Sequence, residues 1–222
     1  MKYKIITALI IAQFGMSASL SALSPSLGGS TGLITMPTGE SLKYKEVSIA
    51  YDYVYAENAE DDAWSYKANL GTFQNWELGV VGGKEPDEGV FLNTKYYLIS
   101  DQSRNAISVA IGIQNISSKD DCDAYLVASK RFIEGIGLHF GFKANFNEKI
   151  NPTLMLGADY YVTDRFQIMA DLTGEQEDYS GNVGALFYLT KEIFVRGSIV
   201  DLTENLYDTR RVSIGLGFSK YL

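Results

Sequence analysis

The chain ends in the stretch Val212-Ser213-Ile214-Gly215-Leu216-Gly217-Phe218-Ser219-Lys220-Tyr221-Leu222, in which apolar and small residues alternate. The even-numbered positions are apolar except for Lys220, whereas serine and glycine fill the odd-numbered positions up to Ser219. A period of two over about ten residues predicts a β-strand with one apolar face and one small or polar face. A secreted chain that ends in such a strand, after many similar ones, is typical of an outer-membrane β-barrel.

The same alternation recurs from Glu46 onward in about twelve strand-like segments, most of which approach the roughly 9–11 residues that a tilted strand needs to cross a bilayer. Residues 90–99 are apolar on both parities, so the pattern leaves their facing open. We predict an all-β fold, a transmembrane antiparallel up-and-down β-barrel of twelve strands, with ten as the alternative. A soluble β-sandwich also alternates, but the recurrence of an apolar face on nearly every strand favours the barrel.

The connections between these segments fall alternately into two classes. One class is short and nearly neutral, and comprises residues 72–75, 100–105, 131–136, 163–165 and 190–192. The other class carries seventeen acidic and five basic residues, a net charge of −12. Tight periplasmic turns and longer outer loops are the arrangement of a barrel with both termini in the periplasm. The sorting therefore predicts an even strand number and periplasmic termini.

The N-terminus predicts secretion. Lys2 and Lys4 precede an apolar run from Ile5 to Phe14, and small residues follow. This run is too short for a membrane-spanning helix and is typical of a cleavable signal peptide. We place the signal peptide at residues 1–22, an N-terminal Gly/Pro segment at 23–44 and the barrel at 45–222.

Composition agrees with this assignment. The formal charge of −8 becomes −10 when the two lysines of the signal peptide are removed. Cys122 is the only cysteine, so no intramolecular disulfide can form and sheet hydrogen bonds must hold the fold. In lipid, only a closed barrel leaves no unpaired strand edge. Aromatic residues near strand ends suit interfacial girdles; they are Tyr51, Tyr55, Trp64, Trp76, Tyr160 and Tyr221.

The parity opposite the apolar face carries a set of charged residues that would point into the lumen. They are Asp52, Lys67, Glu77, Lys95, His139, Lys143, Asp159, Asp171 and Arg196. With His139 neutral, four acids balance four bases, which favours an internal salt-bridge network over a charge-selective pore. The list does not decide whether the lumen conducts.

We predict no enzymatic activity. His139 is the only histidine, and its same-face neighbours Gly137 and Gly141 are not serines, although a serine on an adjacent strand could reach it. The spacing of Cys122 and His139 matches no common metal site, so we expect neither a metal nor another cofactor. The chain has no phosphate-binding loop, dinucleotide fingerprint or basic patch, which excludes nucleic acid as an expected partner.

The segment before the first strand is neither helical nor plainly a linker. Glycines and Pro37 disfavour a helix, whereas Leu33, Ile34 and Met36 form an apolar patch that needs cover. The segment could line the periplasmic mouth, enter the lumen as a plug, form a short edge strand, or act as a linker. The sequence leaves these alternatives open.

Part of this segment carries a resemblance to a known family. The residues concerned are Gly29, Thr31, Gly32, Leu33, Ile34, Pro37 and Thr38, followed by Glu46–Tyr51. This stretch resembles the start of the YjbH family of exopolysaccharide-associated outer-membrane proteins. Family members are often several times longer, so the chain looks like a short, barrel-only relative. The resemblance implies an outer-membrane barrel with an exopolysaccharide role and implies no catalytic residues.

Three functions follow as expectations. The resemblance favours an accessory role in exopolysaccharide export or surface organisation. The polar lumen favours a narrow, porin-like diffusion channel, and the acidic connections favour a structural barrel that presents its loops to lipopolysaccharide through divalent ions. The expected partners are outer-membrane lipids and lipopolysaccharide, the barrel-assembly machinery, and polysaccharide or export partners.

Overall fold

A strand at the edge of a sheet leaves backbone N–H and C=O groups unpaired, and this chain leaves no such edge because its sheet closes on itself. The computed structural model describes residues 23–56, 62–73, 75–84, 89–99, 107–119, 121–132, 135–146, 152–175, 178–204 and 210–222. The expected signal peptide and much of the acidic class of connections lie outside these residues.

Twelve antiparallel strands form the sheet. They are β1 Glu46–Tyr55, β2 Ala63–Gly71, β3 Trp76–Gly83, β4 Gly89–Ile99, β5 Ser108–Ile116, β6 Asp123–Arg131, β7 Ile136–Asn145, β8 Pro152–Thr163, β9 Phe166–Glu175, β10 Asp178–Tyr188, β11 Ile193–Val200 and β12 Arg211–Tyr221. Each strand pairs with its neighbours in the chain, and β12 pairs with β1 to close the barrel. The prediction of a twelve-stranded all-β barrel is confirmed.

The C-terminal strand has the facing that its alternation predicts. Leu216 is 55% exposed on the outer face of the barrel, whereas Ser213 is fully buried on the inner face. The six aromatic residues expected in girdles are all exposed on the outside, and Tyr51 stacks on Trp64 with ring centroids 6.4 Å apart. Within the described residues, no helix has the length and apolar character needed to cross a membrane.

An irregularity in β4 explains why the end of this strand is apolar on both parities. The pairing with β5 shifts register twice: between Leu92 and Thr94 the extra residue is on β5, whereas between Tyr97 and Ile99 it is on β4. A bulge of this kind changes the facing of the residues that follow it. Leu98 and Ile99 are therefore both more than half exposed, while Phe91 and Lys95 point inward.

Both ends of the barrel chain lie at one rim, because Glu46 pairs with Tyr221 and Tyr55 pairs with Val212. Since the strands alternate in direction, the short neutral connections join strands at this same rim, and the acidic connections join them at the opposite rim. The strand ends that flank the two classes of connection are thus separated by the height of the barrel.

The β1–β12 seam makes a testable prediction. Phe218 lies opposite Ile49 on β1 and Ile193 on β11, and the backbone N–H of Leu222 donates to the carbonyl oxygen of Lys45 at 2.9 Å. Deleting Leu222 together with Phe218→Ala should leave most of the protein unassembled. The sheet keeps two free edges until β12 pairs with β1, and both changes weaken that pairing. Heat-modifiable migration on gels measures the folded fraction.

Phe140→Ala is the matched control, because Phe140 is an outward phenylalanine of β7, away from the seam. We expect this variant to assemble normally. Equal folded fractions for the two variants would contradict the importance of the seam.

Candidate functional site in the barrel lumen

Residues 23–42, which we call the lumen segment, lie inside the barrel against inward-facing side chains of the strands. Two isolated antiparallel bridges fold the segment back on itself, Pro25 with Thr31 and Gly32 with Pro37. Gly29 has φ +99°, a conformation that glycine adopts without steric cost. These local features make the segment a compact double turn.

The apolar residues of the segment account for its position. Leu33, Ile34 and Met36 are at most 3% exposed. Leu33 and Ile34 join a cluster with Ala50, Met169, Leu186, Tyr188, Phe194 and Val200, and Met36 joins a second cluster with Ala110, Tyr125, Val127 and Met155. Burying such side chains stabilises by roughly 1.5–3 kcal/mol each. The inner face of the barrel thus has two apolar surfaces that the segment covers.

Asp171 on β9 binds the turn of the segment. One carboxylate oxygen accepts the backbone N–H groups of Ile34, Thr35 and Met36 at 2.9, 2.8 and 3.1 Å. The other oxygen accepts the Thr35 hydroxyl at 2.9 Å and Asn182 Nδ2 at 2.6 Å. Successive N–H groups that converge on one anion form a nest. These five hydrogen bonds, all from neutral donors, solvate a carboxylate that would be costly to bury without them.

Glu77 on β3 and Lys95 on β4 bind the segment from the opposite wall. Glu77 accepts the Thr31 N–H at 3.0 Å, the Thr31 hydroxyl at 2.7 Å and the Leu42 N–H at 3.1 Å. Lys95 Nζ donates to the carbonyl oxygens of Thr31 and Glu40 at 2.8 and 2.7 Å. The Glu77–Lys95 ion pair is long, at 4.0 Å, because both groups are committed to the segment.

A fully buried ionic triad lies on β1, β2 and β11. The Asp52 carboxylate is 2.5 Å from Lys67 Nζ and 2.7 Å from Arg196 Nη2. All three side chains are at most 1% exposed. Arg196 also donates to the carbonyl oxygen of Pro25, so the triad contacts the segment directly.

A ring of polar groups holds the end of the segment nearest β1. Ser129 Oγ is 2.7 Å from His139 Nδ1, and His139 Nε2 is 2.7 Å from Asp159. Arg131 joins Asp159, at 2.8 Å, to Glu40, at 2.9 Å. The Gly39 N–H donates to Ser129 Oγ at 2.7 Å and so closes the ring.

Ser129 on the adjacent strand therefore does reach His139. Asp159 lies on the opposite side of the His139 imidazole. The Ser129 hydroxyl is 3% exposed and already accepts the Gly39 N–H. A nucleophilic serine needs an open face toward the substrate, and Ser129 is covered. The arrangement anchors the segment in this structure.

All nine residues predicted to point into the lumen do so. Eight are buried, and Lys143 is about one-third exposed and pairs with Asp123 at 2.9 Å. Two residues that the sequence pattern assigned to connections belong to a strand: Arg131, in the short connection 131–136, and Asp123, among the seventeen acids of the other class. Asp123 is the first and Arg131 the last residue of β6, and their side chains share the inward parity of Tyr125, Val127 and Ser129.

The sequence pattern did not predict several residues that bind the segment. Asn69 Nδ2 donates to the Gly29 carbonyl oxygen at 2.6 Å, and Asn93 Nδ2 donates to the Gly28 carbonyl oxygen at 3.1 Å. These residues and Asn182 lie on the inward parity of their strands, so a count of amides beside charges would have found them. Nothing in the sequence marked Glu40 as the partner of Arg131.

In the described ranges, no group of three or more His, Cys, Asp and Glu side chains is placed to hold a metal ion.

The residues between Gly29 and Thr38 that carry the family resemblance are in the segment itself, whereas Glu46–Tyr51 are in β1. Thr31 contacts Glu77, Ile34 contacts Asp171, and Thr38 donates its N–H to the Thr31 carbonyl oxygen at 3.2 Å.

No protein-family model matches the chain. No curated protein matches it at a significant level.

Solved structures of porins are similar to the barrel. The KdgM porin in complex with disordered oligogalacturonate aligns with a TM-score of 0.59 and 15% identity, over 77% of this chain and 98% of that chain. The NanC porin aligns with a TM-score of 0.54 and 11% identity, over 79% and 99%. The Acinetobacter baumannii outer membrane protein Omp33 aligns with a TM-score of 0.50 and 10% identity, over 81% and 99%. At these identities the likeness establishes the fold, a porin-like twelve-stranded barrel.

Proposed function

We propose that this protein is an outer-membrane channel that its own lumen segment keeps closed at rest, with both chain termini on the periplasmic side. The observation that carries the proposal is the placement of residues 23–42 across the lumen. The separation of a neutral rim from a strongly acidic rim supports the orientation, because short turns face the periplasm and longer loops face outward in such barrels.

The contacts of the segment span the cross-section of the barrel. Glu77 lies on β3 and Asp171 lies on β9, six strands apart in a ring of twelve. Strands so related are on opposite walls. A peptide bonded to both walls and packed on two apolar clusters leaves little free section for solutes, which is why we assign a closed resting state.

The path of the segment is compatible with its release. The Ser48 hydroxyl donates to the carbonyl oxygen of Leu23 at 3.0 Å, and the segment ends just before Glu46. Because it begins and ends near the same rim, it can leave the lumen through that rim without passing a chain end across the barrel. Its hydrogen bonds can then be exchanged for bonds to water or to a solute.

Planar-bilayer conductance tests the proposal. We expect the refolded mature protein to be silent and a variant lacking Ser24–Thr38 to show discrete current steps, since the deletion removes the contacts with Asp171 and Arg196. The control replaces the same residues by a Gly/Ser stretch of equal length, which keeps the length of the chain and removes the contacts. This variant should also conduct. Steady current in the full-length protein, or silence in both deleted and replaced forms, would contradict the proposal.

A second candidate is the accessory role in exopolysaccharide export. It is favoured by one observation: two of the residues that resemble the YjbH family, Thr31 and Ile34, bind the lumen wall. If the role is correct, a strain lacking the protein loses surface exopolysaccharide, and the full-length protein restores it. If the variant without Ser24–Thr38 also restores the exopolysaccharide, the role does not depend on the segment.

A further inference from the structure

The lumen segment is uncharged except for Glu40 near its end. Residues 23–39 contain no Asp, Glu, Lys, Arg or His, although the chain as a whole is 21% charged. Six of these seventeen residues carry hydroxyl groups; they are Ser24, Ser26, Ser30, Thr31, Thr35 and Thr38. The wall meets this segment with charged side chains, so the complementarity rests on hydrogen bonds rather than on opposite charges.

Three basic groups of the wall are paired with acids of the wall or of the end of the segment. Lys67 and Arg196 share Asp52, and Arg131 contacts Asp159 and Glu40. Lys95 also points at the segment, with the Glu77 carboxylate 4.0 Å away. Over the inward residues named above, five basic side chains meet five acidic ones, so the wall as a whole carries no surplus of cations.

Two carboxylates face that space: Asp171, whose five hydrogen-bond donors are all neutral, and Glu77, whose nearest cation, Lys95 Nζ, is 4.0 Å away. Departure of the segment removes four of the five donors of Asp171, and it removes the Thr31 and Leu42 donors of Glu77. A solute that replaces the segment must donate hydrogen bonds to these groups and accept them from Lys95. Hydroxyl groups do both, whereas an anionic group beside Asp171 would meet an uncompensated like charge in a confined space.

We propose that the pathway opened by release of the segment admits uncharged, hydroxyl-rich solutes and excludes polyanions, and that Asp171 and Glu77 determine this specificity. The inference rests on the proposed channel function and names the solute class of the same site.

The test uses the barrel without Ser24–Thr38, in which block of ion current by two oligomers of six sugar rings is compared. Maltohexaose is uncharged and hexagalacturonate carries six carboxylates. We expect maltohexaose to block at a concentration at least about tenfold lower, equivalent to about 1.4 kcal/mol. Asp171→Asn with Glu77→Gln should bring the two blocking concentrations within about threefold, because the amides keep the shape without the charge.

Asp123→Asn is the matched control. It removes one carboxylate from the partly exposed pair with Lys143, and should leave the tenfold preference unchanged. The reversal potential of the barrel without Ser24–Thr38 in a KCl gradient gives a second readout. We expect this barrel to conduct cations in preference to anions.

Equal or stronger block by hexagalacturonate, anion preference, or an unchanged ratio in the double variant would each overturn the inference while leaving the channel intact. Silence of the deleted barrel would overturn the channel function, and the inference with it.

Discussion

Replacing Gly32 by valine should open the barrel without unfolding it. A Cβ atom at Gly32 would lie 2.2 Å from the carbonyl oxygen of Met36 and 2.8 Å from Cα of Pro37. Both contacts are with backbone on the other side of the bridge that folds the lumen segment, so the turn cannot form around a side chain. Gly32 belongs to no strand, and the sheet does not depend on it. We expect discrete bilayer currents from the variant and none from the wild type.

Gly197→Val is the matched control. Gly197 lies in β11, and a Cβ atom there would meet nothing within 4 Å. This variant should remain silent, and both variants should keep heat-modifiable migration. A silent Gly32→Val barrel that migrates normally would show that the segment tolerates the side chain, and would remove the steric basis of the prediction.

Asp52→Ala should have the largest effect on stability. It leaves Lys67 and Arg196 buried without their shared carboxylate, and loss of one partner from a buried ionic group typically costs about 3–5 kcal/mol. We expect the midpoint of urea unfolding in detergent micelles to fall markedly and the folded fraction on gels to drop. The free energy of unfolding is the quantity to compare.

Asp123→Ala provides the comparison, because its partner Lys143 is one-third exposed. A pair with this much solvent contact is worth about 1 kcal/mol or less. A similar loss of unfolding free energy in the two variants would mean that water reaches the Asp52 triad and that its burial does not add to stability.

The strands could be predicted from sequence because their signal is local. Period-two alternation places a residue on the lipid or the lumen face from its neighbours alone, and the facing of β12 and β7 followed directly. The facing of the residues of β4 could not be predicted in this way. The two register shifts of β4 depend on pairing with β5, which is not encoded in the β4 sequence by itself.

Part of the lumen site was also within reach of sequence. All nine predicted inward residues lie where their parity placed them, and the same count would have added Asn69, Asn93 and Arg131. Their partners were not predictable. Asp171 seemed one member of a balanced ionic set, yet its hydrogen bonds come from three backbone N–H groups and two neutral side chains of the segment and of β10.

The amino-acid sequence by itself indicated about twelve strands, the inward and outward faces of most of them and the alternation of neutral and acidic connections, because each depends on spacing along the chain. Only the tertiary structure decided where residues 23–42 lie and which groups bind them. Thr31 meets Glu77 and Ile34 meets Asp171 across 46 and 137 positions of sequence. Such contacts exist only after the sheet has closed and created an interior, since an apolar, hydroxyl-rich turn has no preferred site until opposite walls surround it.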